Sequence, residues 1–114
     1  MNVRHERDGD ARTLAATVDT ADSFLSQARG LMFRRSIPDD YALVFPFGSV
    51  ETRDAHMVFV PFDIDALWME DEEVQQVATL SAWTGMGEAR CDTLVELPAG
   101  AASDVRVGDR VWVE

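Results

Sequence analysis

Ile64-Asp65-Ala66-Leu67-Trp68-Met69, then Glu70-Asp71-Glu72-Glu73, then Val74-Gln75-Gln76-Val77-Ala78-Thr79-Leu80 is the stretch that decides the fold. Two apolar runs flank four consecutive acids. The acids have turn and solvent character, so residues 64–80 read as a hairpin. The first run reads as a strand, and Val74–Leu80 returns as its partner.

Strand signals continue on both sides. Tyr41–Phe45 is an apolar run that follows the turn Ile37-Pro38-Asp39-Asp40, and Ala55–Val60 reads as a further strand. Thr84–Glu88 reads as a loop, and Thr93–Leu97 as a strand stopped by Pro98. Ala99–Asp104 is a connection, and Gly108-Asp109 a turn into the last strand, Arg110–Val113. Near the start, Asp8-Gly9 is a hairpin signal between strands Asn2–Arg7 and Ala11–Val18. One segment changes period. Thr20 is placed to cap a helix over Ala21–Arg29, with Phe24, Leu25 and Ala28 on its packing face and Gly30 as its stop. The expected fold is mainly β, bordering on α+β. It is a small β-sandwich or partly open barrel of about seven short strands with one short helix near residues 21–29. At 114 residues, the chain is read as a single domain, 1–114.

Charge narrows the setting. The 21 acids outnumber 10 bases, for a net charge of −11, and every base is an arginine. Self-repulsion of this size weakens a fold at low salt, whereas molar salt shortens the Debye length to about 3 Å. Acidity together with absent lysine is read as adaptation to a salt-loaded cytoplasm. It disfavours unspecific binding to nucleic acid or anionic lipid, so neither nucleic acid nor membrane is expected as a partner. No stretch approaches the roughly 18–20 apolar residues of a membrane span. The first eight residues have no apolar stretch of an export signal, and the cytoplasm is the expected compartment. Cys91 is the lone cysteine, so no intrachain disulfide and no cysteine-based zinc site is expected.

Four motifs in order carry a family resemblance. They are Gly30-Leu31-Met32-Phe33-Arg34; His56-Met57-Val58-Phe59 leading to Ile64-Asp65-Ala66-Leu67-Trp68; Leu94-Val95-Glu96-Leu97-Pro98-Ala99-Gly100; and Val107-Gly108-Asp109-Arg110-Val111. Over about residues 11–113 the chain resembles the uncharacterised-protein family known as domain of unknown function 192. The resemblance implies a compact, mostly β domain with one helix and brings no established activity. The chain departs from the family at Asp63-Ile64-Asp65, where relatives often carry proline before the apolar residue and the aspartate.

Four residues are the candidates for ligand binding: Arg29, Arg34, His56 and Asp65. His56 enters an apolar run, where an imidazole can serve as acid, base or metal ligand, or simply hydrogen-bond backbone at a strand edge. Asp65 interrupts an apolar run, and a carboxylate there needs a partner. The expected partner is Arg34 or Arg29, or backbone N–H groups near Gly30, with a structural role favoured over catalysis. Arg29, Arg34 and Arg35 form a local basic island, read either as an anion pocket or as arginines paired with nearby acids. Asp54, His56, Asp63 and Asp65 are weighed as a metal cluster and not adopted; no metal, cofactor or catalytic residue is assigned. Cys91 is read as a small buried thiol rather than a nucleophile paired with His56. Trp83 and Met86 are read as a loop patch suited to a partner.

The reading that follows is a non-catalytic β domain binding a small polar ligand or a peptide. The alternative is an accessory protein acting through protein contacts, as a monomer or weak homodimer. A metal-dependent hydrolase using His56 and Asp65 ranks last, and whether the chain is an enzyme stays open.

Overall fold

The computed structural model describes residues 1–114. In chain order the elements are β1 (Val3–Arg7), β2 (Asp10–Ala15), β3 (Thr17–Thr20), α1 (Phe24–Arg29), β4 (Tyr41–His56), β5 (Ile64–Glu70), β6 (Glu73–Leu80), β7 (Met86–Pro98) and β8 (Arg110–Val113). Eight strands form one open sheet in the order β2-β1-β8-β6-β5-β7-β4-β3. The mainly β expectation with one short helix holds. Of the two forms expected, the open one holds: the strands make a single open sheet rather than two separate sheets.

The continuous apolar runs now have a cause. Strands β4, β5 and β7 lie side by side inside the sheet, and their alternate residues bury on opposite faces. Leu43, Phe45, Ala66, Trp68 and Leu94 pack into one core cluster on the first face. Ala42, Val44, Leu67, Met69, Val95 and Leu97 pack into a second cluster on the other, with Val3, Val74 and Val111 from the flanking strands.

The hairpin at 64–80 forms as read, with Asp71 and Glu72 both at positive φ in the turn. The Asp8-Gly9 hairpin also forms, but its second arm breaks near Ala16. Ala16 and Thr17 N–H groups bond the Asp40 carbonyl, and β3 then runs parallel to β4. Ala55–Val60 is not a separate strand. Tyr41–His56 is one 16-residue strand with a register shift between Pro46 and Glu51, and the chain turns away after His56. The segment 84–88 is only half loop, because β7 starts at Met86. Gly87 lies where a Cβ would come within 2.9 Å of Trp68 Cη2, so glycine lets the indole close the first core.

Helix α1 is shorter than expected, and Ser23 rather than Thr20 caps it. The Ser23 hydroxyl accepts the Ser26 N–H, and the Ser26 hydroxyl oxygen accepts the Ser23 N–H. Gly30 stops it at φ 51°, as read. The expected packing face is corrected: Phe24 is 84% and Leu25 78% exposed. Buried Ala21 and Leu31 pin the segment on either side, and Gln27 donates to the Ala21 carbonyl. Six residues spanning two anchors need no buried face of their own.

The chain ends meet. Asn2 and Glu114 exchange backbone hydrogen bonds of 2.7 and 2.9 Å, seating β8 between β1 and β6.

Candidate functional site

On the first face, where α1 and the Gly30 turn cross β4 and β7, the surface opens into a cavity of about 310 Å³. That is the lower end of the roughly 300–1,000 Å³ typical of small-ligand pockets. Leu31, Phe45, Met57, Ile64 and Leu94 give it apolar walls. Arg29, Arg53, Asp54 and His56 supply charged and polar groups around them.

Glu96 reaches this cavity from the middle of β7, between Leu43 of β4 and Ala66 of β5. Its side chain shares a face with Leu94, and the residue is only 6% exposed. The Gly30 backbone passes directly over it: a Cβ there would lie 3.7 Å from Glu96 Oε1 and 3.5 Å from Phe45 Cζ. No protein group donates a hydrogen bond to the carboxyl. Burial pushes its pKa up to about 7, and only the nearby positive charge of Arg34 opposes the rise.

The four residues expected to bind are not brought together. Arg29 lies at the cavity on the exposed end of α1, with no carboxylate within salt-bridge distance. His56 also lines it and is exposed; its Nδ1 accepts the Val58 N–H at 3.3 Å, the bonding of a strand-end histidine. Arg34 is occupied elsewhere. It donates to the Tyr41 hydroxyl at 2.9 Å, and that hydroxyl donates to Asp19 at 2.9 Å. The basic island therefore makes no ion pair of its own; Arg34 hydrogen-bonds toward Asp19 through Tyr41, and its charge also acts on Glu96.

Asp65 is the clearest correction. It is buried, as its place in an apolar run demanded, but its partner is not an arginine or the Gly30 turn. Its carboxylate accepts from Thr79 Oγ1 at 2.8 Å and from the backbone N–H groups of Gly100 at 3.0 Å and Ala102 at 2.9 Å. The reason is strand alternation: Ile64 and Ala66 face the cavity side, so Asp65 must face the other. It pins the 100–102 turn and cannot pair with His56. Asp63 likewise holds the Ala82 N–H at 2.8 Å. No group of three or more histidine, cysteine or acidic side chains gathers where a metal would sit. Cys91 is fully buried, and burial pushes its thiol up to about 11.

Glu96 is the residue that the sequence reading missed. The signal was present, because Leu94-Val95-Glu96-Leu97 breaks an apolar run with a carboxylate just as Asp65 does. Arg53 was also passed over. Its guanidinium stacks 4.0 Å from the Phe47 ring centroid and donates through Nη2 to Ser49 and Glu51, while its buried Nε has no partner.

Exposed aromatics adjoin the cavity. Phe33 and Phe59 stack with centroids 4.9 Å apart, next in sequence to lining residues Met32 and Val60. Phe33, Phe59 and Trp83 all adopt positive φ, and backbone bonds lace their loops together: Phe33 N–H to Phe59 O and Trp83 N–H to Val60 O, each 2.9 Å. Such backbone is strained for bulky residues and persists because neighbouring bonds enforce it.

No helix is long and apolar enough to cross a membrane. The fold is shared with solved structures. A Sinorhizobium meliloti protein, assigned provisionally as a transcription regulator, superposes with a TM-score of 0.84 at 23% identity, covering 97% of this chain and 91% of its own. A Novosphingobium aromaticivorans protein of unknown function gives 0.84 at 20% identity, covering 98% and 84%. In sequence, the UPF0127 protein PH1112 of Pyrococcus horikoshii is 34% identical over 101 residues, covering 82% of this chain and 84% of the relative. The model of the DUF192 family, described as an uncharacterized ACR, matches residues 4–113, and the chain belongs to that family.

Proposed function

We propose that this protein is a non-catalytic binding domain whose cavity between the Gly30 turn and β7 holds a small ligand or a short peptide segment. The observation that carries this reading is Glu96: a carboxyl buried at an otherwise apolar wall, open to the cavity and lacking any protein partner. A buried polar group without a partner is costly, and such groups concentrate where a ligand completes them. The cavity's size suits a small molecule or one peptide side chain, not a dinucleotide. A His56–Asp65 hydrolase has no support, since those side chains serve opposite faces. Regulation through DNA is not carried over from the Sinorhizobium protein, because a net charge of −11 opposes approach to phosphates. The acidic, lysine-free composition further supports a salt-adapted cytoplasm as the working environment.

The test is a thermal-shift panel of metals, carboxylates, phosphates, nucleotides, sugars and amines on the wild type, Glu96→Gln and Ala28→Trp, the last placed to fill the cavity mouth. A ligand at 100 times its Kd adds about 2.7 kcal/mol. A hit weakened in both variants supports the reading; a hit indifferent to both, or a blank panel, overturns it. A second reading, protein contact through the rim, is favoured by the exposed Phe33–Phe59 stack and Trp83. A second copy of this chain is the occupant to test first, by concentration-dependent light scattering in multimolar KCl.

A further inference from the structure

The cavity's polar and apolar parts are arranged asymmetrically. Its deep polar group is the Glu96 carboxyl, an acceptor whenever ionised. The surrounding walls, Leu31, Phe45, Met57, Ile64 and Leu94, offer hydrocarbon and one ring face. None of the remaining charged groups near the cavity hydrogen-bonds Glu96. Arg53 bonds Ser49 and Glu51 through Nη2 and leaves its buried Nε without a partner, Arg34 bonds Tyr41, His56 is tied to the Val58 N–H, and Arg29 and Asp54 are exposed. Nothing in the protein therefore supplies the donors that an ionised Glu96 requires.

We infer that the ligand enters by a primary ammonium group, which sits on the Glu96 carboxylate while its alkyl stem lies against Leu31, Met57 and Ile64. This rests on the cavity being a binding site and adds the chemical class of its occupant. An ammonium brings three donors and a contacting positive charge to a carboxylate that has no donor and only the Arg34 charge nearby, and a charge-assisted bond there is short and strong. The hydrocarbon stem of an alkylamine or lysine side chain matches the walls, and Phe45 adds a ring face to the cation. A carboxylate ligand would bring two acids together and force one to stay protonated. A neutral amide or alcohol would leave the charge uncompensated. The same chemistry is carried by a free alkylamine or by a lysine side chain of a peptide.

The experiment follows backbone amide NMR shifts of 15N-labelled protein, wild type and Glu96→Gln, titrated with n-butylamine, doubly capped lysine, n-butanol and butyrate at pH 6 and pH 8. Both amines stay protonated throughout, while Glu96 passes from mostly neutral to mostly ionised. The expected result is shifts at Gly30, Leu31, Met57 and Glu96 with both amines. Affinity is expected to tighten about tenfold from pH 6 to pH 8 and to fall at least tenfold in Glu96→Gln. The tighter-binding amine identifies the source as free amine or lysine side chain. Butyrate or butanol binding as well as the amines overturns the amine assignment while the pocket stands, as does amine binding unchanged in Glu96→Gln. If no probe moves the cavity amides, both the assignment and the pocket reading fall.

Discussion

Replacing Glu96 by glutamine removes an ionisable proton and keeps the side chain's shape. In the wild type, burial raises the carboxyl from its ordinary 4.5 to about 7. Between those values the folded chain holds a proton that the unfolded chain has released. Stability must therefore fall as pH rises from about 4.5 through 7 and stay lowered above that. At 1.36 kcal/mol per pH unit, the full penalty is about 3 kcal/mol. Most of it, about 2–3 kcal/mol, develops between pH 5 and pH 8. Glutamine has no such penalty, although its unpartnered amide costs something at every pH. The informative quantity is thus the change in the gap between the two proteins. Thermal unfolding at pH 5 and pH 8 should show that gap moving in favour of Glu96→Gln by about 10 °C, at roughly 4 °C per kcal/mol for a domain of this size. Other titrating groups act on both proteins and cancel. A gap of the same size at both pH values would mean that the carboxyl is hydrated and titrates normally, and the argument for an incomplete site would collapse with it.

Asp65→Asn should lose about 1–3 kcal/mol in urea unfolding, because one amide oxygen cannot replace two carboxylate oxygens serving Thr79, Gly100 and Ala102; a change within error would refute the pinning role. Gly87→Ala should cost about 1–3 kcal/mol by driving a methyl against Trp68; an unchanged Tm would show that the indole yields freely. Phe24→Ser should leave stability within about 0.5 kcal/mol, since that ring is exposed; a large loss would restore the packing face expected of the helix. Wild-type Tm should rise from dilute buffer to multimolar KCl as repulsion among the acids is screened; equal values would remove the case for salt adaptation.

What could be read from the sequence was mostly local. Asp8-Gly9, the acids at 70–73 and Gly30 each announce a turn or stop through their own backbone preferences, and each stands where expected. The failures are all non-local. Ala55–Val60 has strand composition throughout, yet only Ala55 and His56 find a neighbour in β7. Phe24 and Leu25 have helical spacing, but spacing does not say whether anything lies opposite. The place of Asp65 in an apolar run demands partners; two of them sit 35 and 37 residues away in a turn whose N–H groups carry no sequence signature. Alternation along 64–66 already separates Asp65 from the Ile64 face, and with it from His56. Glu96 obeys the same rule as Asp65 and was legible by the same reasoning; what the residues alone do not reveal is that one acid is satisfied and the other is not.

The meeting of the two chain ends bears on how the molecule is assembled. Strand β8 occupies the place between β1 and β6, so the β1–β2 hairpin has its inner neighbour only after residues 110–113 have been made. Until then the β1 edge that faces β8 has no strand to pair with. Closing so long a loop is entropically costly, and pairings this distant slow folding. The final four-residue strand is therefore the keystone that ties Val3, Ala15 and its own Val111 into the second core.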